Sequence, residues 1–543
     1  MKHLAISFIA LLTCLHINAQ LPKYEVRAVW LTTLSGLDWP KSHKARQQKE
    51  ELRKTLDLLK AGGINTVLYQ ARIRGTVAFP SAMEPWDACM TGQAGVAPDY
   101  DPLQLVIDEC HSRGMEVHAW VVTIPIGKYN AYGCKQLKQH NPSLIKKIGD
   151  DAFLNPEKAE TADYLAAICS DIVKRYDVDG IHLDYIRYPE RWPLAKSAQE
   201  RADRRRNITH IVEAINWVVK SQKPWVKMSC SPIGKHDDLL RYRSGGWNAR
   251  TAMGQDAQAW LQRGLMDMLF PMMYFRDNQF FPFAIDWKEQ DAGRIVVPGL
   301  GVYFLDPKEG RNWQLDDVTR QMNVSRQLGM GHCYFRSKFF TDNIKGLYDF
   351  GKHFDATPAL IPPMTWENKT APGAPEQLRH RGKLLTWKEA ENRNDSPYLL
   401  YNIYASKNYP VDVNDPQNLV AWRITNSFLI VPSDKDTYYA VTATDRYGQE
   451  SKACQLPDIR EYRFWQTDDI QKTNGEWVRL PEKPATLDAN VLLIETLQGQ
   501  QVGAVEYKGK YADISYLPDG IYILRSLGKK NRNHRMVYFS IKR

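Results

Sequence analysis

Strand-like apolar runs alternate with amphipathic helical stretches through most of the chain, from residue 25 to about residue 354. The helical stretches carry apolar residues at every third or fourth position, whereas the strand-like runs are short and mostly apolar. Eight strand–helix pairs can be counted. This alternation is typical of a parallel sheet with crossover helices, and eight pairs predict an α/β fold, a single (β/α)8 TIM barrel.

The bounds of these elements follow from the apolar pattern and from glycines that end several helices. The predicted strands span residues 26–31, 66–71, 116–122, 180–184, 226–231, 266–274, 295–302 and 331–335. The predicted helices span residues 48–61, 102–113, 161–176, 208–221, 252–263, 284–289, 316–328 and 344–353.

Helical patterning stops at a proline-rich segment, which we interpret as a linker over residues 356–371. Beyond it, short runs alternate with a period of two between polar turns, which predicts two small all-β sandwich domains over residues 372–456 and 460–543. The segment TYYAVTATDRYGQES resembles the closing strands of a fibronectin type III domain. The last region resembles the β-sandwich that ends many exported Bacteroidetes proteins, including the type IX secretion sorting domain.

The amino-terminal residues 1–19 have a basic start, an apolar run from Leu4 to Leu15, and Ala19 before Gln20. This pattern predicts a cleaved secretory signal peptide, followed by the barrel domain over residues 22–355. Lipidation at Cys14 is less favoured, because Thr13 is not the small residue usual before a lipidated cysteine. We therefore expect export to the periplasm or the outer surface, with no transmembrane span, since no later stretch is long and apolar enough.

The composition is that of a globular chain, with 43% apolar and 25% charged residues. The formal net charge of +10 comes from scattered basic residues, so a nucleic-acid partner is not expected. Seven of the eight cysteines follow the predicted signal, without a CxxC pair. Free core thiols are the simplest interpretation, and a Cys89–Cys134 disulfide stays an alternative.

The segment GIHLDYIRYP, residues 180–189, carries the first candidate for chemistry. Ile181 and Leu183 are apolar, whereas His182 and Asp184 share the opposite face of the predicted strand. Asp184 then lies at the carboxyl end of a barrel strand, where barrel enzymes keep their active sites. His182 is expected to orient Asp184 or to be a hydrogen-bonded interior histidine, and a buried structural aspartate is the alternative for Asp184.

Aromatic and polar residues at inward positions on other strands, or just beyond the strand ends, suggest a sugar site. Aromatic rings cover the apolar face of a sugar ring, while charged and amide groups bind its hydroxyls. The predicted substrate contacts are Trp30, Gln70, Arg72, Trp86, His118, Trp120, His182, Arg187, Tyr188 and Tyr274.

Hydrolysis of a glycoside generally needs two carboxyl groups. Asp184 supplies one, as nucleophile or base, and the candidates for the second are Glu84 and Asp277. Each of the two could equally be an ordinary loop acid. Zinc-protease, serine-hydrolase and phosphate-loop motifs are absent from the sequence, so neither a metal nor a cofactor is expected.

Six separated segments closely resemble the glycosyl hydrolase-like family 10 proteins: EVRAVWLTT, GINTVLYQARIRGTVAFPS with EPW, YDPL, GMEVHAW, LNP and VDGIHLDYIRYP. The resemblance covers the whole predicted barrel. It implies a (β/α)8 barrel, export to the envelope, and hydrolysis of glycans, and one bacterial member acts on peptidoglycan strands stripped of their stem peptides. Many relatives read DGIHFDDY, so Asp184 matches the first of their two acids and Tyr185 replaces the second.

The resemblance implies an exported glycoside hydrolase, and the favoured substrate is peptidoglycan glycan lacking stem peptides. Arg72, Trp86 and His118 lie in matching segments, so substrate contacts are implied for them. Lactyl carboxylates of such strands would suit Arg72, Arg74 and Arg187. A non-catalytic glycan-binding envelope protein and a hydrolase of a host or dietary polysaccharide are the alternatives.

Overall fold

The computed structural model describes residues 21–242, 246–434, 436–456, 471–480, 491–496, 500–506, 510–526 and 537–543. The predicted signal peptide lies outside these residues. The chain divides into two compact units. The first comprises Met1–Ser406, Val411–Ser433 and Tyr439–Cys454, and the second comprises Lys407–Pro410, Asp434–Tyr438 and Gln455–Arg543.

A nine-stranded, all-parallel sheet forms the centre of the first unit and confirms a TIM-barrel-like fold. Its strands are β1 (Arg27–Leu31), β2 (Thr66–Arg72), β3 (Glu116–Val122), β4 (Gly180–Asp184), β5 (Lys227–Cys230), β6 (Met268–Leu269), β7 (Ile295–Val296), β8 (Gly299–Leu300) and β9 (His332–Tyr334). The order is β7-β6-β5-β4-β3-β2-β1-β9-β8.

The two edge strands of this sheet belong to one segment of chain. Pro298, which has no amide hydrogen, interrupts the predicted strand 295–302 and leaves β7 and β8 as two short pieces. The amide of Gly299 donates to the carbonyl of Pro271, and the amide of Cys333 donates to the carbonyl of Pro298. The segment therefore joins both ends of the sheet.

Eight helices follow the strands in the predicted alternation. They are α1 (Ala45–Ala61), α2 (Pro102–His111), α3 (Ala159–Arg175), α4 (Ala198–Gln222), α5 (Ala257–Gln262), α6 (Phe281–Glu289), α7 (Leu315–Gln327) and α8 (Leu347–Phe354). Further helices within the loops span Ala88–Thr91, Tyr132–His140, Arg250–Met253 and Ser337–Thr341. A small antiparallel sheet, Pro125–Lys128, Ile145–Ile148 and Asp151–Leu154, enlarges the loop after β3.

The two faces of the sheet bury different side chains. Val29 and Leu31 belong to the large core between strands and helices, whereas Ala28 and Trp30 belong to a separate cluster inside the sheet. Glycine makes room for the largest interior rings. A Cβ on Gly180 would lie 2.5 Å from the His118 ring.

The strands between residues 376 and 455 form two further sheets, and nearly all of their residues belong to the first unit. One contains Glu376–Arg381, Leu384–Lys388 and Phe428–Ile430, and the other contains Leu419–Ile424, Leu400–Ser406, Tyr438–Thr444 and Cys454–Gln455. Tyr438 and Gln455 at strand ends are assigned to the second unit. We call this region the β-module.

The β-module contacts the amino-terminal end of the barrel strands through buried charges. Arg423 donates to Glu116 at 3.0 Å and to Asp179 at 2.6 Å, and Arg446 lies 3.2 Å from Asp179. Lys227 completes the cluster at 2.9 Å from Glu116. Because both carboxylates are buried, their charges depend on arginines that the β-module supplies.

The second unit holds a five-stranded sheet and a two-stranded sheet. The first is made of Gln471–Thr473, Val537–Ile541, Gly520–Ser526, Val491–Thr496 and Gln501–Glu506, and the second of Trp477–Arg479 and Tyr511–Asp513. Val478, Ile494 and Phe539 are among its buried residues.

The cysteines in the described part of the chain are all free thiols, and six of the seven are buried. This agrees with the predicted core thiols and not with a Cys89–Cys134 disulfide. No helix among the described residues is both long and apolar enough to cross a membrane.

Replacing Arg423 with alanine would leave Glu116 and Asp179 with too little positive charge. We expect Arg423→Ala to lower the free energy of unfolding by about 3–5 kcal/mol, measured by urea denaturation. The control is Arg393→Ala, because Arg393 is half exposed and pairs with the exposed Glu391. Equal stability of the two variants would contradict the structural role of the cluster.

The same cluster predicts how stability depends on pH. Lys227 and Arg423, with a hydrogen bond from His118, lower the pKa of Glu116 from 4.5 to about 2 despite its burial. The stabilisation is therefore complete above about pH 4.5 and is lost as the pH falls toward 2. Urea denaturation between pH 7 and pH 3 measures the slope, which should be shallower in Glu116→Gln.

Candidate functional site

Asp184 is the last residue of β4, at the carboxyl end of the barrel strands. Its Oδ1 accepts hydrogen bonds from the Ser231 hydroxyl at 2.8 Å and the Tyr185 amide at 2.8 Å. Its Oδ2 accepts a hydrogen bond from the Trp120 indole at 3.1 Å. These donors hold the carboxyl group in one orientation.

No arginine, lysine or histidine of the described residues lies within salt-bridge distance of Asp184, although the residue is only 6% exposed. Burial raises the pKa of Asp184 above its ordinary value, and the hydrogen bonds together with the charge of Arg187 oppose that shift only in part. A buried carboxyl without a counter-ion is unusual for a structural aspartate. Its environment suits proton transfer.

His182 lies one layer deeper in the barrel and is neutral. Its Nε2 accepts a hydrogen bond from the Trp30 indole at 3.2 Å, and its Nδ1 lies 3.1 Å from the Ser229 hydroxyl. Burial and the charge of His118 hold the pKa of His182 well below its usual range. Both ring nitrogens have partners, so His182 has the position of an interior, hydrogen-bonded histidine, which is one of the two roles expected from the sequence.

His118 lies toward the amino-terminal end of the barrel. Its Nε2 is 3.4 Å from Glu116, and its Nδ1 is 3.5 Å from the Ser229 hydroxyl. The side chain is fully buried. His118 therefore fills the barrel interior below Asp184.

A charged and aromatic rim lies beyond the strand end. It consists of Tyr185, Arg187 and Glu190, which follow Asp184 in the chain, and of Trp247 from a later loop. The Arg187 guanidinium lies 4.6 Å from the centre of the Tyr185 ring and 5.9 Å from that of Trp247. It forms a 2.6 Å ion pair with Glu190, whose side chain is 39% exposed. Tyr185, Glu190 and Trp247 are not among the substrate contacts predicted from the sequence, although Tyr185 belongs to the same segment as Asp184 and Glu190 directly follows it.

Tyr274 follows β6 and carries a buried hydroxyl that makes no hydrogen bond within the described part of the chain. Burial, and next the negative charge of Asp184, raise the pKa of Tyr274 well above its ordinary value. Its ring contacts Tyr303 and Phe335, at centroid distances of 5.7 Å and 5.3 Å. Gly301 makes room for it, since a Cβ there would lie 3.0 Å from the Tyr274 Cβ.

Arg72 and Glu84 form a buried pair on the other side of the sheet. A register shift between Gln70 and Arg72 places Arg72 opposite Val121, which packs in the outer core. Arg72 binds both carboxylate oxygens of Glu84, at 2.8 Å and 2.6 Å, and Tyr164 on α3 donates to Glu84 at 2.9 Å. The Arg72 side chain therefore points out of the barrel and not into it as predicted. Its two hydrogen bonds to Glu84 are typical of a structural ion pair.

Asp277, the other candidate for a second carboxyl group, lies on the surface. Its side chain is 61% exposed and forms a 2.8 Å ion pair with Arg320. The backbone φ of Asp277 is +49°, within a short turn before α6. No contact joins Asp277 to Asp184 among the described residues.

Three other predicted contacts stabilise loops and helices. The Gln70 Oε1 accepts hydrogen bonds from the amides of Thr33 and Leu34, after β1. Tyr188 is buried and accepts a hydrogen bond from Asn207 on α4, and Trp86 packs partly buried against the outer core. The structure therefore groups Trp120, Arg187 and Tyr274 with Asp184, and Trp30 and His182 just below.

One cluster among the described residues has the composition of a metal site: Glu25, His332 and Asp355. It lies at the other end of the barrel, where Arg27 and Arg326 each contact both Glu25 and Asp355 within 3.2 Å. Two guanidinium groups already neutralise these carboxylates. The cluster therefore has the character of a buried ion-pair network rather than of a cation site.

A family model described as Glycosyl hydrolase-like 10 matches residues 25–303. The chain belongs to this family. The family membership confirms the resemblance drawn from the sequence motifs, and the chain is a glycoside hydrolase.

Two relatives and one solved structure illustrate the likeness. The hydrolase is 29% identical over 482 residues to "Glycosyl hydrolase YngK" of Bacillus subtilis (strain 168), covering 80% of this chain and 93% of that protein. It is 33% identical over 295 residues to "Glycosyl hydrolase DigH" of Escherichia coli (strain K12), covering 48% and 67%. The PgaB (BpsB) glycoside hydrolase domain from Bordetella bronchiseptica is 14% identical with a TM-score of 0.45, covering 63% and 100%, a likeness too weak to bear on the chemistry.

Removing one donor to Asp184 should change its pKa in a predictable direction. Hydrogen bonds donated to a carboxylate favour the ionised form, so Ser231→Ala should raise the pKa of Asp184 further. Carbon-13 NMR titration of labelled aspartate carboxyl groups measures the shift. Ser325→Ala is the control, because the buried Ser325 hydroxyl lies on α7 and bonds to no described residue; an unchanged Asp184 titration in Ser231→Ala would refute the assignment.

Proposed function

We propose that this glycoside hydrolase is exported and cleaves glycan strands, with peptidoglycan lacking stem peptides as the favoured substrate. The observation that carries the proposal is Asp184, a buried carboxyl group at the carboxyl end of the barrel strands that forms no salt bridge with the described residues. Barrel enzymes keep their reactive groups at this end.

Asp184 acts as the proton donor to the leaving oxygen. The sequence suggested a nucleophile or a base, but burial raises the pKa of Asp184, and a raised pKa favours the protonated acid. Ser231 and Trp120 hold its two oxygens, which fixes the direction of proton transfer. The hydrogen bonds need little rearrangement when the group ionises, because all three donors favour the ionised form.

The rim supports an anionic glycan as substrate. The Nε of Arg187 is buried and bonds to no described residue, although one terminal nitrogen is engaged by Glu190. The partly exposed Trp247 lies beside it and offers an aromatic face for a sugar ring. Peptidoglycan strands carry lactyl carboxylates that the Arg187 guanidinium could bind, and sugar rings that could stack on Trp247. A neutral dietary polysaccharide has no anionic group for Arg187 to bind.

Export and the accessory regions complete the proposal. The amino-terminal pattern of residues 1–19 supports secretion to the periplasm or the outer surface. The paired sheets of the β-module fit a fibronectin type III-like sandwich over residues 372–456, and the second unit fits a sorting-domain-like sandwich over residues 460–543.

The substitution Asp184→Asn tests the assignment. It keeps the size of the side chain but removes the acid, so we expect at least about a 100-fold loss of turnover with fold and glycan binding retained. The measurement is mass spectrometry of glycan strands freed of stem peptides, after digestion with each variant. Asp291→Asn, which alters an acid paired with Lys288 beyond α6, is the matched control.

Unchanged strand shortening by Asp184→Asn would remove Asp184 from the mechanism. A wild-type protein that leaves these strands intact but degrades a plant or mucin polysaccharide would instead replace the substrate and keep the reaction class.

A further inference from the structure

We propose that the substrate supplies its own nucleophile: the hydrolase cleaves glycosides of 2-acetamido sugars, the acetamido oxygen attacks the anomeric carbon, and Tyr274 positions that acetamido group. The inference rests on the proposed role of Asp184 as the acid. It adds the source of the nucleophile and a positioning residue to that role.

The surroundings of Asp184 provide the first argument. The described groups that act most strongly on its carboxyl are Ser231, Arg187, Tyr185 and Trp120, and none of them is a carboxylate. Two catalytic carboxyl groups of a retaining glycosidase lie roughly 5–5.5 Å apart, where each strongly raises the pKa of the other. A second carboxylate at that distance would belong among the groups that act most strongly on Asp184.

The available acids lie elsewhere or are already engaged. Both oxygens of Glu84 are bound by Arg72, and Asp277 is exposed beside Arg320. Glu190 is the acid of the rim, half exposed and paired with Arg187. Glycosidases in which a substituent of the substrate is the nucleophile need no carboxylate in that role.

Tyr274 provides the second argument. Its hydroxyl is buried, bonds to no described residue, and experiences Asp184 as its strongest neighbouring charge. A buried polar group without a partner is costly, so the hydroxyl is poised for a ligand atom near Asp184. Since burial and Asp184 raise the pKa of Tyr274, it remains a hydrogen-bond donor at any pH at which the protein works.

An acetamido group has the chemistry to bind the Tyr274 hydroxyl and the aromatic rings around it. Its carbonyl oxygen accepts a hydrogen bond, and its methyl group is apolar. The rings of Tyr303 and Phe335 pack against the Tyr274 ring and provide apolar surface next to this residue. A hydrogen bond from Tyr274 would fix the carbonyl oxygen beneath the anomeric carbon, which is where attack requires it.

The reaction balances without any further reagent. The acetamido oxygen forms a bond to the anomeric carbon while the glycosidic C–O bond breaks, and the leaving oxygen takes the proton of Asp184. The product is a cyclic oxazolinium ion and an ionised Asp184. Water then attacks the anomeric carbon and gives a proton to Asp184, the ring opens, and the acetamido group is restored with retained configuration.

The first experiment uses the full-length protein and the thiazoline analogues of N-acetylglucosamine and N-acetylmuramic acid, which mimic the cyclic intermediate. Calorimetry should show that the wild type binds one of them and that Tyr274→Phe binds it at least 10-fold more weakly. The matched control is Tyr447→Phe, because the Tyr447 hydroxyl donates to Asp395 in the β-module. Absence of binding by the wild type, or equal binding by wild type and Tyr274→Phe, overturns the inference.

The second experiment compares stem-peptide-free strands before and after chemical removal of the N-acetyl groups. We expect at least a 100-fold loss of cleavage after deacetylation and retained anomeric configuration by NMR. Cleavage of deacetylated strands or inversion of configuration overturns the inference. An active Asp184→Asn would instead overturn the proposed acid, so the two failures are distinguishable.

Discussion

The burial of two carboxylates, Glu116 and Asp179, at the amino-terminal end of the barrel is the constraint on which the rest of the structure depends. Removing a charged group from water is costly unless other charges compensate it. The barrel offers Lys227 and His111, and the β-module adds Arg423 and Arg446. Burial alone would raise the pKa of Asp179, but Arg423, His111 and Arg446 together lower it far below its ordinary value, which favours the ionised form. The β-module is therefore part of the folded barrel and not an independent attachment to it.

The buried carboxyl groups at the two ends of the barrel consequently have opposite electrostatic surroundings. At the amino-terminal end, carboxylates are kept ionised by close cations. At the carboxyl end, Asp184 is surrounded by neutral donors, and its pKa rises because burial outweighs their effect. The interior between the ends is filled by Trp30, His182 and Ser229, with the imidazole held neutral. Stability and reactivity are thus separated along the barrel axis, as the fold generally allows.

The spacing of apolar residues predicted the barrel well, because its strands and its helices both bury one face against the core and therefore repeat their apolar residues regularly. The bounds of β3 and β4 agree with the apolar pattern, and Asp184 falls at the predicted strand end. Local irregularities were not predictable in the same way. The register shift in β2 turns Arg72 outward, since alternation from Gln70 assumes a regular strand. Pro298 could have indicated the break between β7 and β8, because proline cannot donate to a sheet.

The site was harder to predict because its partners come from distant segments. Glu190 and Tyr185 could have been found by reading the segment after Asp184 to its end, where a third charged residue follows Arg187. Tyr274 was selected for its ring, whereas its chemistry depends on a hydroxyl left without a partner among the described residues, which only three-dimensional contacts reveal. Burial raises the pKa of both the Asp184 carboxyl and the Tyr274 hydroxyl, so both remain protonated to higher pH than usual. With Asp184 in the proposed role of acid, the nucleophile comes from another source, and the proposed source is the acetamido group of the substrate itself.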